Sequence, residues 1–214
     1  MLNGKFKLKI CGMREPDNVS EVAVLKPDYM GFIFYAESPR FVNALAYNIV
    51  HLVSILDIEP VAVFVNASID SIQQITELYG FTTVQLHGNE TPEICIALRE
   101  NGLKVIKSFS INDRLDLDET KPYRDCCDYF LFDTKTPAYG GSGKQYNWSI
   151  LQDYNGVTPF FLSGGIGPND AERILSFKHP GLLGIDINSR FEIKPALKDV
   201  RLISTFINQL NFPK

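Results

Sequence analysis

The sequence predicts an α/β protein, a (β/α)8 TIM barrel in a single domain, and three observations carry that expectation. Short apolar runs alternate with helical stretches from end to end, eight times over. The runs are continuously apolar, as strands buried on both faces are, whereas the helical stretches are apolar on one side only. No G-x-G-x-x-G follows the first run, which counts against the rival architecture, an open doubly wound sheet.

The first strand ends in Lys9-Ile10-Cys11; Gly12 then turns the chain, and Pro16-Asp17-Asn18-Val19 opens a helical stretch to about Leu25. Residues 29–34 (Tyr-Met-Gly-Phe-Ile-Phe) make the second strand, followed by Leu45, Ile49, Leu52, Val53 and Leu56 at helical spacing. Residues 61–65 give the third strand, Ser68 caps a helix striped by Ile72, Ile75 and Tyr79, and residues 83–87 give the fourth strand. Thr91-Pro92-Glu93 has the form of an N-cap followed by proline at the first helical position, with a fifth strand at 104–109. Residues 112–128 are polar, contain Pro122 and show no firm stripe, so a degraded or very short helix is expected there. A sixth strand at 129–133 ends in Asp133, followed by a glycine-rich loop (Ala138-Tyr139-Gly140-Gly141-Ser142-Gly143-Lys144) and a brief helix over 148–154. The seventh strand is expected at 159–162 with its helix at 168–177, and the eighth at 182–187. A final helix is expected over 196–210, with Leu197, Val200, Ile203, Ile207 and Leu210 inward.

The 214 residues suffice for one sizeable core and are few for two. Hydrophobic residues at 45% and charged residues at 21% are ordinary for a globular protein. A net charge of −4 excludes a generally basic nucleic-acid surface while leaving room for a local basic pocket that takes an anionic small molecule. The first residues alternate lysine with apolar side chains, unlike a signal peptide or anchor, and nowhere do about 18 apolar residues run together. A cytoplasmic protein with no membrane or nucleic-acid partner is expected, and a monomer, since no long apolar stripe demands a second chain. Cys11, Cys95, Cys126 and Cys127 match neither a disulfide framework nor zinc-ligand spacing, so reduced thiols and no metal are expected.

In a barrel of this kind the active site is built from loops at the carboxyl ends of the strands. Those ends carry Cys11, then Ser38-Pro39-Arg40, His87, Asp133, Ser163-Gly164-Gly165, and residues 186–190 including Asp186, Asn188, Ser189 and Arg190. Taken singly, Cys11 reads as a small core residue, Asp133 as a turn cap, Arg40 as a solvated loop residue and His87 as the close of a turn. Together they supply a base or nucleophile, an acid, a cation and anion-binding glycines. Leu162-Ser163-Gly164-Gly165-Ile166-Gly167-Pro168-Asn169 lets the backbone approach a ligand closely and then starts a helix with open amides, which suits phosphate.

These blocks resemble a known family. Lys9-Ile10-Cys11-Gly12-Met13, Ser38-Pro39-Arg40-Phe41-Val42, Val63-Phe64-Val65-Asn66, Val84-Gln85-Leu86-His87-Gly88, Phe132-Asp133 and Leu162-Ser163-Gly164-Gly165-Ile166 are together similar to the phosphoribosylanthranilate isomerases of tryptophan biosynthesis, over about residues 7 to 210. The resemblance implies an Amadori rearrangement of N-(5-phosphoribosyl)anthranilate without metal or organic cofactor. It makes Asp133 the general acid and Cys11 the general base, gives the anthranilate carboxylate to Arg40, and leaves His87 as a lesser contact. The phosphate is expected on Gly164, Gly165, Gly141 and the loop with Asn188 and Ser189, and Asp186 near the sugar hydroxyls. The base role calls for a lowered Cys11 pKa, with a nearby cation such as Arg40 to help, or else for a minor thiolate fraction that suffices.

The chain departs from the family after the last strand, where Asn188-Ser189-Arg190 replaces the common Ser-Ser-Gly. Arg190 then either meets the phosphate directly or points outward. Two other functions compete: a related phosphoribosyl isomerase of histidine biosynthesis, which expects an aspartate where Cys11 stands, and a catalytically silent phosphosugar-binding barrel, which needs neither Cys11 nor Asp133.

Overall fold

The computed structural model describes residues 6–45, 49–111, 117–134 and 145–210. Strands β1 (Lys7–Cys11), β2 (Tyr29–Ile33), β3 (Glu59–Phe64), β4 (Thr83–Leu86), β5 (Lys104–Ile111), β6 (Tyr129–Thr134), β7 (Phe160–Leu162) and β8 (Leu182–Ile187) close into a parallel barrel in sequence order. The closing pair, β8 on β1, sets Lys9 opposite Asp186 and Ile10 opposite Ile187.

Alternation along each strand divides its side chains between two apolar layers. Cys11, Val61, Val63, Ile106, Leu131 and Phe161 pack inside the barrel. Ile10, Phe32, Phe64, Leu86, Phe130, Phe132 and Ile185 join the outer layer beneath the helices. Both faces are dry, which is why the runs read as continuously apolar. Each large apolar side chain buried this way contributes about 1.5–3 kcal/mol. Buried ion pairs, by contrast, are often no better than apolar replacements. The charged groups inside the barrel therefore have to be explained by something other than stability.

The covering helices are α1 (Pro16–Ala23), α2 (Ile49–Ile55), α3 (Ile69–Tyr79), α4 (Pro92–Glu100), α5 (Leu117–Thr120), α6 (Ala171–Ser176) and α7 (Val200–Gln209). Ser68 caps α3 as expected, its Oγ accepting from the Ser71 amide at 3.2 Å, and Gly80 ends the helix. Pro92 opens α4, but Thr91 makes no side-chain cap bond there. The polar stretch before β6 contains only the single turn of α5 and a 3-10 turn over Lys121–Tyr123. The expected helix after β6 is likewise a 3-10 segment, Trp148–Asp153. No described helix is long and apolar enough to cross a membrane.

Three expectations need correction. Leu56 lies beyond the end of α2 and is 46% exposed rather than inward. The helix after β7 begins only at Ala171, because the Asp170 carboxylate accepts the Gly167 amide at 2.6 Å and folds 167–170 into a turn. The last helix begins at Val200, where Asp199 caps it by accepting the Leu202 amide at 3.0 Å. The preceding residues form an antiparallel hairpin, β9 (Glu192–Lys194) with β10 (Leu197–Lys198). Pro195 lacks the amide a helix interior needs, and Ala196 turns the chain at φ 66°, so Leu197 lies in a strand.

Candidate active site

Lys9 and Cys11 are two residues apart on β1 and so project from the same face into the barrel. The Lys9 ammonium, fully buried, pairs with Asp186 at 2.9 Å, and its charge acts on the Cys11 sulfur. Gly31 stands opposite Cys11 in the β1–β2 register, and a Cβ there would meet Cys11 Sγ at 2.7 Å. The glycine makes room for the thiol. Lys198, on the hairpin, adds a second positive charge near Cys11.

Burial pushes the Cys11 thiol above its ordinary pKa; Lys9 and Lys198 oppose the shift without cancelling it, and Asp186 adds to it. This corrects the expectation of a lowered value helped by Arg40. Burial works against the Lys9 charge too, but Asp186 and the Cys11 sulfur more than offset it, and the Lys9 pKa is raised. Burial likewise drives Asp186 upward against the pull of Lys9. Lys198 is brought down to about 8 by burial, despite Glu192 beside it.

Asp133 closes β6 on the other side of the mouth. Its Oδ2 lies 3.3 Å from His87 Nε2, while its Oδ1 accepts the Thr134 amide at 2.7 Å. The Gln85 amide nitrogen lies 2.9 Å from His87 Nδ1, on the ring edge away from Asp133. His87 thus pairs with Asp133 and is more than the close of a turn. Asp186 feels the charges of both Asp133 and His87, so the groups from β1, β4, β6 and β8 share one electrostatic site.

Arg40 is buried and tied down. Its Nε and Nη2 donate to the two carboxylate oxygens of Glu192 at 2.7 to 3.1 Å. The same carboxylate accepts from Lys198 Nζ at 2.6 Å, and Lys198 also donates to Asn188 Oδ1 at 2.7 Å. Burial opposes the Glu192 charge, yet Arg40 and Lys198 hold its carboxyl below the usual value. Asn188 is therefore a link in the support of Arg40 and Lys198.

After β7, Gly164 (φ 94°) and Gly165 (φ 65°) occupy backbone conformations that favour glycine, and a Cβ on Gly164 would lie 2.8 Å from the Thr134 amide nitrogen. Ser163 donates to Asp186 at 3.3 Å, and Gln145 holds the Gly165 carbonyl at 2.9 Å. Ser189 begins a 3-10 turn that carries Arg190 across the glycine loop, so that a Cβ on Gly167 would meet Arg190 Nε at 2.6 Å. Arg190 thus lies against the loop after β7. Gly141 and its loop lie outside the described residues.

Sequence reasoning missed Lys9, Gln85, Glu192 and Lys198. Alternation could have found the first two, since Lys9 shares a face with Cys11 and Gln85 with His87. Glu192 and Lys198 carry no such signal, because only the unforeseen hairpin brings them in.

A thiol with lysines on one wall and a carboxylate against an imidazole on the other, both at the carboxyl ends of parallel strands, define a barrel enzyme of the acid–base type. Comparison with known proteins gives its family. The model for N-(5'phosphoribosyl)anthranilate (PRA) isomerase matches residues 8–209, and the chain belongs to that family. It is 48% identical over 207 residues to the N-(5'-phosphoribosyl)anthranilate isomerase of Parabacteroides distasonis, covering 96% of this chain and 94% of that one. Among solved structures, phosphoribosyl anthranilate isomerase from Thermotoga maritima is 30% identical with a TM-score of 0.82, covering 96% and 98% of the two chains. A further isomerase structure, in complex with reduced 1-(o-carboxyphenylamino)-1-deoxyribulose 5-phosphate, is 26% identical with a TM-score of 0.79 and the same coverage.

Proposed function

We propose that the chain catalyses the Amadori rearrangement of N-(5-phosphoribosyl)anthranilate to 1-(o-carboxyphenylamino)-1-deoxyribulose 5-phosphate in tryptophan biosynthesis. The observation that carries this reading is the placing of Cys11 and Asp133 at the ends of β1 and β6, each with its own charged partners. A binding barrel needs neither group, and a thiol in place of an aspartate on β1 disfavours the histidine-pathway reaction.

Asp133 gives its proton to the furanose ring oxygen as the bond from that oxygen to C1′ breaks, leaving an iminium. The Cys11 thiolate removes the proton at C2′, the electron pair forms the C1′–C2′ double bond, and the nitrogen regains its lone pair. The resulting enolamine becomes the ketone when its C2′ hydroxyl loses a proton and C1′ gains one. Lys9 and Lys198 limit the cost of the buried thiolate, so that a minor ionised fraction of Cys11 sustains the step. His87 holds Asp133 in place. The outer edge of the Arg40 guanidinium takes the anthranilate carboxylate, and Asp186 with Ser163 faces the sugar hydroxyls. The phosphate rests on the amides of Gly164 and Gly165 and on the loop of Asn188, Ser189 and Arg190.

The chain works as a single-domain monomer in the cytoplasm, with its four thiols free as that compartment keeps them. The test follows the loss of phosphoribosylanthranilate fluorescence with wild type, Cys11→Ser and Asp133→Asn. Turnover by the wild type, reduced about 10²–10⁴-fold or more in each variant with product-analogue binding kept, is the expected result. A wild type without turnover overturns the reading.

A further inference from the structure

Three cysteines outside the barrel interior take no part in this chemistry. Cys95 lies on α4, and Cys126 and Cys127 lie in the turn between the 3-10 segment Lys121–Tyr123 and β6. The fold brings their three sulfurs within 4.8 Å of one another, with all three side chains buried and Cys95 wholly so. Nothing in their spacing along the sequence announces this.

Buried cysteines often serve as small apolar fillers, with sulfurs that face carbon. Here the sulfurs face one another. No two of them are more than 4.8 Å apart, and the Cys126 thiol also reaches the Pro122 carbonyl at 3.7 Å. Two cations stand near the cluster: Lys107, itself paired with Glu90 at 3.1 Å, beside Cys95, and Arg99 beside Cys126. Arg99 further pins the turn to α4 by donating to the Asp125 carbonyl at 2.8 Å, so the two halves of the cluster are held together by more than their own contacts.

We propose that Cys95, Cys126 and Cys127 form a binding site for one thiophilic metal ion held by three sulfurs. Three sulfurs about 2.3 Å from a shared ion in a trigonal plane stand about 4.0 Å apart, so closing the cluster on an ion asks for a contraction of under about 1 Å. Among the described residues, no carboxylate or imidazole completes the set. A sulfur-only triad selects soft closed-shell ions, Cu(I) foremost and Zn(II) or Cd(II) after it, over Mg(II) or Mn(II). Binding exchanges protons for the ion: three S–H bonds give way to three S–metal bonds, up to three protons leave to solvent, and no electrons move. The site is separate from the barrel mouth, so the proposal stands independently of the isomerase reading.

Cd(II) is the probe. Titrated into the reduced, metal-free whole chain, it should give a thiolate-to-cadmium ultraviolet band that saturates at one tightly bound ion and a raised melting temperature. The band should persist in Cys11→Ser and weaken, with affinity lowered at least tenfold, in Cys127→Ser and Cys126→Ala. Cys126→Ala removes a sulfur without burying a new polar group, and retained turnover certifies that it folds. A band absent in the wild type, lost only in Cys11→Ser, or unchanged in both cluster variants overturns the proposal. So does mild peroxide treatment that consumes two thiols, with water as the product, in a chain that takes up no Cd(II), since the cluster is then a disulfide pair.

Discussion

Arg40 and Glu192 meet as a fork, with guanidinium Nε and Nη2 on both carboxylate oxygens, and both side chains are less than a tenth exposed. A guanidinium has more than one edge for such pairing, and Glu192 takes only the Nε side. In the proposed reaction the edge through Nη1 takes the substrate carboxylate, and its direction is set by Glu192. Glu192→Gln keeps the volume and loses the charge, so steady-state kinetics should show a KM raised about tenfold, for a loss of about 1.5 kcal/mol, with a smaller change in kcat. Arg40→Ala should do more damage. It strips a buried carboxylate of one of its two cations, and denaturant unfolding should register about 3–5 kcal/mol.

The same carboxylate gives stability a pH dependence of definite sign. Glu192 titrates lower folded than unfolded, so its contribution is complete above the ordinary carboxylate value and is lost as pH falls through the folded value. The stability gap between wild type and Glu192→Gln should be widest near neutrality and narrow progressively below about pH 4, because the wild-type side chain is then a neutral carboxyl and differs little from the amide. Denaturant midpoints measured across that range decide it; a gap that stays constant with pH contradicts the assignment.

Cys11 carries a raised pKa, so its thiolate fraction, and with it kcat/KM, should climb from neutral pH toward the alkaline side. Lys9, whose own pKa is raised, stays charged where Cys11 ionises, whereas Lys198, at about 8, does not. Lys9→Met should therefore move the rising limb of the pH profile to higher pH, while Lys198→Met should lower the rate near neutral pH and leave the alkaline part of the limb in place.

Arg190 lies against Gly167, next to the glycines proposed to cradle the phosphate. Arg190→Gly restores the residue common in the family at this position. If Arg190 meets the phosphate, KM should rise about tenfold or more, as charged hydrogen bonds of about 1.5–3 kcal/mol imply, and inhibition by inorganic phosphate should weaken in parallel. An unchanged KM places the side chain outside the ligand's reach.

Gly31→Ala tests the space around the thiol. The added methyl would stand 2.7 Å from Cys11 Sγ and 3.2 Å from its Cα, both too close to persist. Overpacking of this kind costs about 1–3 kcal/mol, and the displaced sulfur should lower kcat more than it raises KM.

What the sequence disclosed depended on how local the cause was. The strands were legible because both faces are apolar, and Ser68 because a cap acts over three residues. Cys11 and Asp133 were legible as polar residues ending apolar runs. The hairpin at 192–198 was not, since Leu197 and Val200 fit a helical stripe as well as they fit their actual places, and Pro195 argued against it too quietly. With the hairpin went Glu192 and Lys198, and with those the true partners of Arg40 and Cys11. The upward shift of Cys11 was not legible for a related reason: burial is a property of the closed barrel, and no local motif measures it.

The pair formed by Lys9 and Asp186 joins residues 177 positions apart. Contacts so distant along the chain come late in folding, because the loop they close must be organised first. The basic wall beside Cys11 is thus assembled in the same event that seals β8 against β1. A molecule with an unsealed barrel has no organised wall beside its thiol and no catalysis, yet that thiol, freed from burial, ionises more readily, so closing the barrel both assembles the site and shields its sulfur.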